Sequence, residues 1–202
     1  MRIISGILKG KYLKIPKNIK VRPTTDQSKE ALFNILNNRF DFNKINILDL
    51  FSGTGAISFE FSSRGAKTIY SIDKNYNSIK FIKSFSIENN LDIKAIMADI
   101  FKSKLQFDIQ FDIIFADPPY SNKKEYYHEL ISILRNKLDN SIIAKPVDLA
   151  IVAKLSPSTI EYILFLTLKP SLIIIFSKSP YFSTNDEAPK INCNSSFEDL
   201  FI

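Results

Sequence analysis

Four apolar runs early in the chain each close on an aspartate or carry one at their end. Ile45 to Leu50 holds Asp49, Lys67 to Ile72 leads to Asp73, Ile93 to Ala98 to Asp99, and Ile113 to Ala116 to Asp117. Apolar runs of this length alternating with helix-length segments predict a parallel sheet covered on both faces. In an open sheet of that kind, ligands bind beyond the carboxyl ends of the strands. Taken singly, Asp73 and Asp99 read as helix caps. Their recurrence at successive strand ends argues for one acidic rim.

The first run continues as Asp49-Leu50-Phe51-Ser52-Gly53-Thr54-Gly55. Glycines directly after a strand permit a tight turn and close approach to a ligand. The helix expected over roughly Ala56 to Arg64 points its first amides at the same place. A dinucleotide fingerprint would carry a third glycine where Ser58 stands, so the loop suits a nucleoside ligand without a pyrophosphate better than NAD. Asp73, about 20 residues beyond Gly53, is spaced to hold both hydroxyls of a ribose. Asp99, or the backbone beside it, can meet an adenine amine.

The fourth run ends in Asp117-Pro118-Pro119-Tyr120. Each proline fixes φ and removes a backbone donor, leaving a stiff turn with free carbonyls. Asp117 can accept one hydrogen of an exocyclic amine and the Pro118 carbonyl the other, while Tyr120 stacks on the base. An ordinary capped strand end is the plainer reading of these four residues alone.

The 202 residues suffice for one large α/β domain with a small addition. A hydrophobic share of 45% excludes the disordered class. One cysteine, Cys193, and one histidine, His128, leave no disulfide framework and no multi-histidine metal site. Met1 to Lys11 has no continuous apolar core, and Ile160 to Phe176 is broken by Glu161, Lys169 and Pro170. A cytoplasmic protein without a membrane partner is therefore expected. The net charge of +6 permits a polyanionic partner.

Residues 1–20 read as a basic hairpin or extension, with β-prone runs Arg2 to Leu8 and Lys11 to Ile15 and a lysine-rich surface that includes Lys9 and Lys11. Residues 21–180 read as the main domain and 181–202 as an irregular tail. Thr24 with Gln27 fits a capping box for a helix whose buried stripe is Ala31, Leu32, Ile35 and Leu36. Arg22, ahead of that cap, is placed to reach a phosphate or the reactants. A helix is expected from about Asn75 to Asn89 and another through Lys137 carrying His128 as a surface residue. Farther on, Leu149 to Ala153 and Leu172 to Phe176 read as strands and Ser158 to Leu168 as helical.

Several blocks then coincide in order: Arg2-Ile3-Ile4-Ser5-Gly6, Lys9-Gly10-Lys11, Arg22-Pro23-Thr24-Thr25-Asp26, Glu30-Ala31-Leu32-Phe33-Asn34, Leu48 to Gly55 and Asp117 to Tyr120. Together they resemble the RsmD family of bacterial 16S rRNA guanine-N2 methyltransferases, over roughly residues 1 to 138. The resemblance implies a class I S-adenosylmethionine-dependent methyltransferase fold, Rossmann-like, with a mostly parallel seven-stranded sheet and a small N-terminal β-hairpin. It implies as substrate the N2 amine of guanine 966 of 16S rRNA, within the 30S subunit or a late assembly intermediate; a monomer is expected. By that likeness Asp49, Phe51, Gly53 and Gly55 form the cofactor loop, Asp73 holds the ribose and Asp99 lies by the adenine. Thr25, within the Arg22 to Asp26 block, lies over the cofactor; Asp117, Pro118, Pro119 and Tyr120 take the base; Lys9, Lys11 and Arg22 face the RNA. The C-terminal third departs from the family pattern: Val152-Ala153-Lys154 lacks the expected strand-end acid, and no glycine follows Gly65. The alternatives are an adenine-N6 DNA methyltransferase and a non-catalytic RNA-binding relic.

Overall fold

The computed structural model describes residues 1–19, 25–109, 111–118 and 129–130, and the backbone of three later strands. The element order is α1 (Asp26–Asn37), a 3-10 turn (Phe42–Lys44), β1 (Asn46–Leu50), α2 (Ala56–Ser63), β2 (Thr68–Asp73), α3 (Tyr76–Glu88), β3 (Ile93–Met97), β4 (Ile113–Ala116), β5 (Val152–Lys154), β6 (Tyr162–Lys169) and β7 (Leu172–Phe176). The strands lie in one sheet in the order β3-β2-β1-β4-β7-β6-β5. From β3 to β7 all pairings are parallel, and β6 runs antiparallel to both β7 and β5. Ser158 to Leu168, expected to be helical, instead overlaps strand β6. Its Tyr-Ile-Leu-Phe-Leu-Thr core is rich in aromatic and branched residues that suit a sheet, and Pro170 follows its end. Residues 177–202 and His128 lie outside the described residues; of the helix expected through Lys137, Glu129 and Leu130 are described and helical, with Leu130 buried.

Alternate residues of each parallel strand enter two separate cores, as a pleated strand buried on both sides requires. Ile47, Ile69, Ile93 and Ile113 pack beneath α1, α2 and α3. Leu48, Tyr70, Ile72 and Ile114 pack on the opposite face with Ile100 and Phe111. Among the described residues no helix is long and apolar enough to cross a membrane.

Helix α1 corrects the expected cap by one residue. Thr25 is the N-cap, its hydroxyl accepting from the Ser28 amide at 3.1 Å, and Thr24 lies outside the described residues. The buried face is Lys29, Leu32, Phe33 and Leu36, with Ala31 and Ile35 only half-buried. Lys29 belongs to that face because its ammonium meets the Arg2 carbonyl and lies 3.6 Å from Glu60 of α2.

The N-terminal segment is built into the same core through Ile3 and Leu13. Its hairpin character is a single antiparallel bridge between Arg2 and Tyr12, extended by Ile3 N–H donating to the Lys11 carbonyl. The Ile4 and Ser5 amides donate to the two oxygens of Glu60 at 2.8 and 3.0 Å, and Arg64 Nε reaches the same carboxylate at 2.9 Å. Gly6 then crosses α2 so closely, at φ +83°, that a Cβ would stand 1.7 Å from the Ser63 carbonyl oxygen. Only glycine fits there.

Lys29 and Glu60 are both fully buried, so removing the Glu60 charge leaves the Lys29 ammonium only the partly exposed Asp26 at 3.7 Å. Glu60→Gln should cost about 3–5 kcal/mol, read as a lower urea midpoint. The double variant Lys29→Met/Glu60→Gln should recover part of that loss.

Candidate active site

The acidic rim lies on the α-helical face of the sheet's carboxyl edge. Asp49 pairs in register with Ser71 of β2, so their side chains sit side by side on the face covered by α2. Ser58, in the first turn of α2, closes the arrangement from above. Its hydroxyl donates to Asp49 Oδ2 at 2.5 Å and lies 2.5 Å from the Ser71 hydroxyl. All three residues are buried. The Ser58 amide also bonds Asp49, so the carboxylate serves as a remote cap for α2.

Between β1 and α2 the chain makes a hooked loop. Phe51 adopts φ +59°, and Gly53 and Gly55 also have positive φ. The Ser52 amide donates to the Ile72 carbonyl at 3.0 Å, and the Gly55 amide to the Ser52 carbonyl at 2.7 Å. At Gly55 a Cβ would stand 2.7 Å from Ile82 Cγ1, so this turn also sets how closely α2 lies on α3. Phe51 is half-buried, its ring centroid 6.2 Å from that of Phe101.

Asp73 binds the loop itself. Oδ2 accepts from the Gly53 amide at 2.8 Å and Oδ1 from the Asn75 amide at 2.8 Å. Each oxygen has a second lone pair, so the carboxylate can still accept two ligand hydroxyls. Asp99 is half-buried two residues beyond β3, with Oδ1 accepting from Phe101 N–H at 3.0 Å. Asp117 is half-buried and Pro118 buried just past β4, and the Asp117 amide lies 3.5 Å from the Leu50 carbonyl.

Asp49, Asp73 and Asp117 are therefore brought together, close enough for the last two to act on the first. Burial pushes the Asp49 carboxyl up to about 7; the Ser58 bonds oppose this, while the negative charges of Asp117 and Asp73 reinforce it. Among the described residues no group of three His, Cys, Asp or Glu side chains is arranged to hold a metal ion.

Other expected site residues fall differently. Asp49 is 1% exposed and presents almost no surface for direct contact. The Thr25 hydroxyl is engaged in capping α1. Lys9 and Lys11 are exposed on the N-terminal segment, with Lys11 bonded to Asn89. Arg22, Pro119 and Tyr120 lie outside the described residues. Ser58 and Ser71 were not expected as site residues. The signal was present: a serine at the third-glycine position, and a serine interrupting the run Ile69-Tyr70-Ser71-Ile72.

The family model described as "Conserved hypothetical protein 95" matches residues 1–153. The chain is 31% identical over 144 residues to ribosomal RNA small subunit methyltransferase D of Buchnera aphidicola subsp. Baizongia pistaciae, covering 71% of this chain and 73% of that relative. The chain belongs to the RsmD family. The enzyme of the same name from Escherichia coli (strain K12) is 29% identical over 138 residues, 67% of each chain. The solved structure of yhhF from Escherichia coli superposes with a TM-score of 0.60 at 26% identity, over 76% of this chain and 80% of that one. The fold is thus that of a class I methyltransferase, α/β and Rossmann-like.

An aspartate in the unfolded chain titrates near ~3.9. Between about pH 4 and 7 the folded RsmD-family chain holds one more proton at Asp49 than the unfolded chain does. That contribution to stability is complete at the acid end and is lost as pH rises through 7. Urea midpoints compared across this window should show Asp49→Asn falling less steeply with pH than the parent.

Proposed function

We propose that this chain transfers a methyl group from S-adenosylmethionine to the exocyclic N2 of guanine 966 of 16S rRNA. The substrate would be the small ribosomal subunit or a late assembly intermediate, and the enzyme a cytoplasmic monomer. The observation that carries the reading is the convergence of Asp49, Asp73 and Asp117 on the Gly53–Gly55 loop in an RsmD-family chain.

The donor set fits the cofactor. Asp73 has lone pairs left for the two ribose hydroxyls, and the loop from Phe51 to Gly55 leads into the amino-terminal turn of α2. Asp99 lies at the next strand end, on the side assigned to the adenine, and Thr25 at the start of α1 would flank the cofactor. S-adenosylmethionine, when bound, supplies a methyl group already activated on a sulfonium centre.

The remaining work falls to orientation. The guanine amine is a weak nucleophile because its lone pair is delocalised into the ring. Asp117 and the Pro118 carbonyl accept its two hydrogens, favour a pyramidal nitrogen and aim the lone pair. Pro119 stiffens the turn, and Tyr120 stacks on a base that has left its helix. The surplus proton passes to the Asp117 carboxylate or to water. Lys9, Lys11 and Arg22 contribute positive charge toward the RNA backbone.

The test is incubation of undermethylated small subunits with labelled cofactor, followed by mapping of the modified nucleotide. Label at guanine 966 is the expected result, and label elsewhere or none would reject it. Asp117→Ala should lower kcat by about 100-fold or more while cofactor affinity holds. Asp73→Ala should instead weaken cofactor binding itself, as read by calorimetry.

A further inference from the structure

A cavity of about 460 Å³ opens between the N-terminal segment and α3, away from the acidic rim. Lys11, Tyr12 and Lys14 form one wall; Phe81, Ser84 and Glu88 of α3 stand on the other. α3 begins three residues after Asp73 and rises ~1.5 Å per residue, so positions 81 to 88 lie roughly 8–18 Å along its axis from the cofactor end. No strand-end aspartate lines this space.

The side chains here have a chemistry that the fold does not require. Tyr12 sits in the bridge to Arg2, yet its side chain leaves the residue 67% exposed. Lys14 and Glu88 are exposed and form no ion pair among the described residues. Lys11 is held in place by Asn89, with its ammonium 5.9 Å from the centre of the Phe85 ring. The cavity thus combines an exposed aromatic face, two ammonium groups, a hydroxyl and an acceptor-only carboxylate. Stacking platforms with flanking cations bind single-stranded nucleic acid. A carboxylate beside them suits a base edge that presents N–H donors and disfavours a phosphate at that spot. The volume is within the range of small-ligand sites, enough for one nucleotide.

We propose that this cavity binds one unpaired nucleotide of the RNA substrate, remote from the base that is methylated. The inference rests on the rRNA reading above and adds to it a second point of attachment. Tyr12 stacks on the base, Lys14 and Lys11 meet its phosphates, and Glu88 with Ser84 reads the base edge.

The experiment uses the full chain, fluorescein-labelled short unstructured oligoribonucleotides of mixed sequence, and small subunits. Tyr12→Ala/Lys14→Ala should weaken oligonucleotide binding by roughly tenfold or more and steepen no thermal transition, since both side chains are exposed. Tyr12→Phe, which keeps the ring, should bind within about twofold of the parent. On small subunits the double variant should raise KM more than it lowers kcat. Equal oligonucleotide affinity in parent and double variant, or no binding by the parent, would overturn the proposal. If the double variant loses oligonucleotide affinity and the parent leaves small subunits unmethylated, the cavity stands as an RNA site and the rRNA-methylation reading falls. If parent and double variant methylate small subunits with the same KM, the cavity proposal falls and that reading stands.

Discussion

Helix α2 is held by two buried carboxylates, one reaching it from the sheet and one leaving it toward the N-terminal segment. Asp49 grips Ser58 in the first turn, and Glu60 gathers the Ile4 and Ser5 amides, Arg64 and Lys29. A buried carboxylate without partners costs several kcal/mol, so each one fixes its neighbours closely. The Asp49 contact sets where the α2 amino terminus stands over the end of β1, and with it the shape of the Phe51–Gly55 loop. The Glu60 contact carries that placement outward to the N-terminal segment. The position of α2 is therefore the geometric reference for both the Phe51–Gly55 loop and the basic surface.

The electrostatics of the rim follow from the same arrangement. Burial pushes the Asp49 carboxyl up, and the negative charges of Asp117 and Asp73 add to that push. Ser58 supplies a hydroxyl in place of the glycine that a dinucleotide loop would carry, and the Ser71 hydroxyl of β2 lies 2.5 Å from it. The Ser58 bonds lower the cost of an ionised Asp49 without placing a cation beside it. A rim of that kind is relieved by a ligand bearing positive charge. This agrees with a sulfonium cofactor and disagrees with a dinucleotide pyrophosphate.

Much of this was legible in the residue pattern, for identifiable reasons. The strands β1 to β4 and helices α2 and α3 follow from apolar runs buried on both faces and from punctuation by Gly53, Gly55 and Asn75. The rim was legible because acids at strand ends of a parallel sheet can only meet at one edge. What stayed hidden depends on contacts between distant segments. Lys29 and Glu60 look like solvated helix charges until the fold places them against each other and against the Arg2 carbonyl and the Ile4 amide. Phe33 was missed because the stripe was drawn toward Ile35, whereas the aromatic cluster with Phe61 and Phe42 turns the helix toward Phe33. The β6 segment misled because Ser158 to Leu168 has helix-compatible residues, and only pairing with β7 decides its state.

The N-terminal segment is fixed to the same core that carries the strand rim. A basic arm joined by a flexible linker would raise local RNA concentration but could not fix a distance. Here Ile3 and Leu13 lie in the core, Gly6 is wedged against Ser63, and Ser63 Oγ donates to the Ser5 carbonyl at 2.5 Å. The lysines therefore stand at a set position relative to α2, and α2 stands at a set position relative to Asp49 and the loop. A contact on the N-terminal segment can consequently act as one end of a rigid gauge whose other end is the strand rim. Base contacts select what enters a pocket, while backbone contacts held at a fixed separation select which base can reach it. In the function proposed here, a rigidly mounted basic segment would choose position within a folded RNA independently of the chemistry proposed at Asp117.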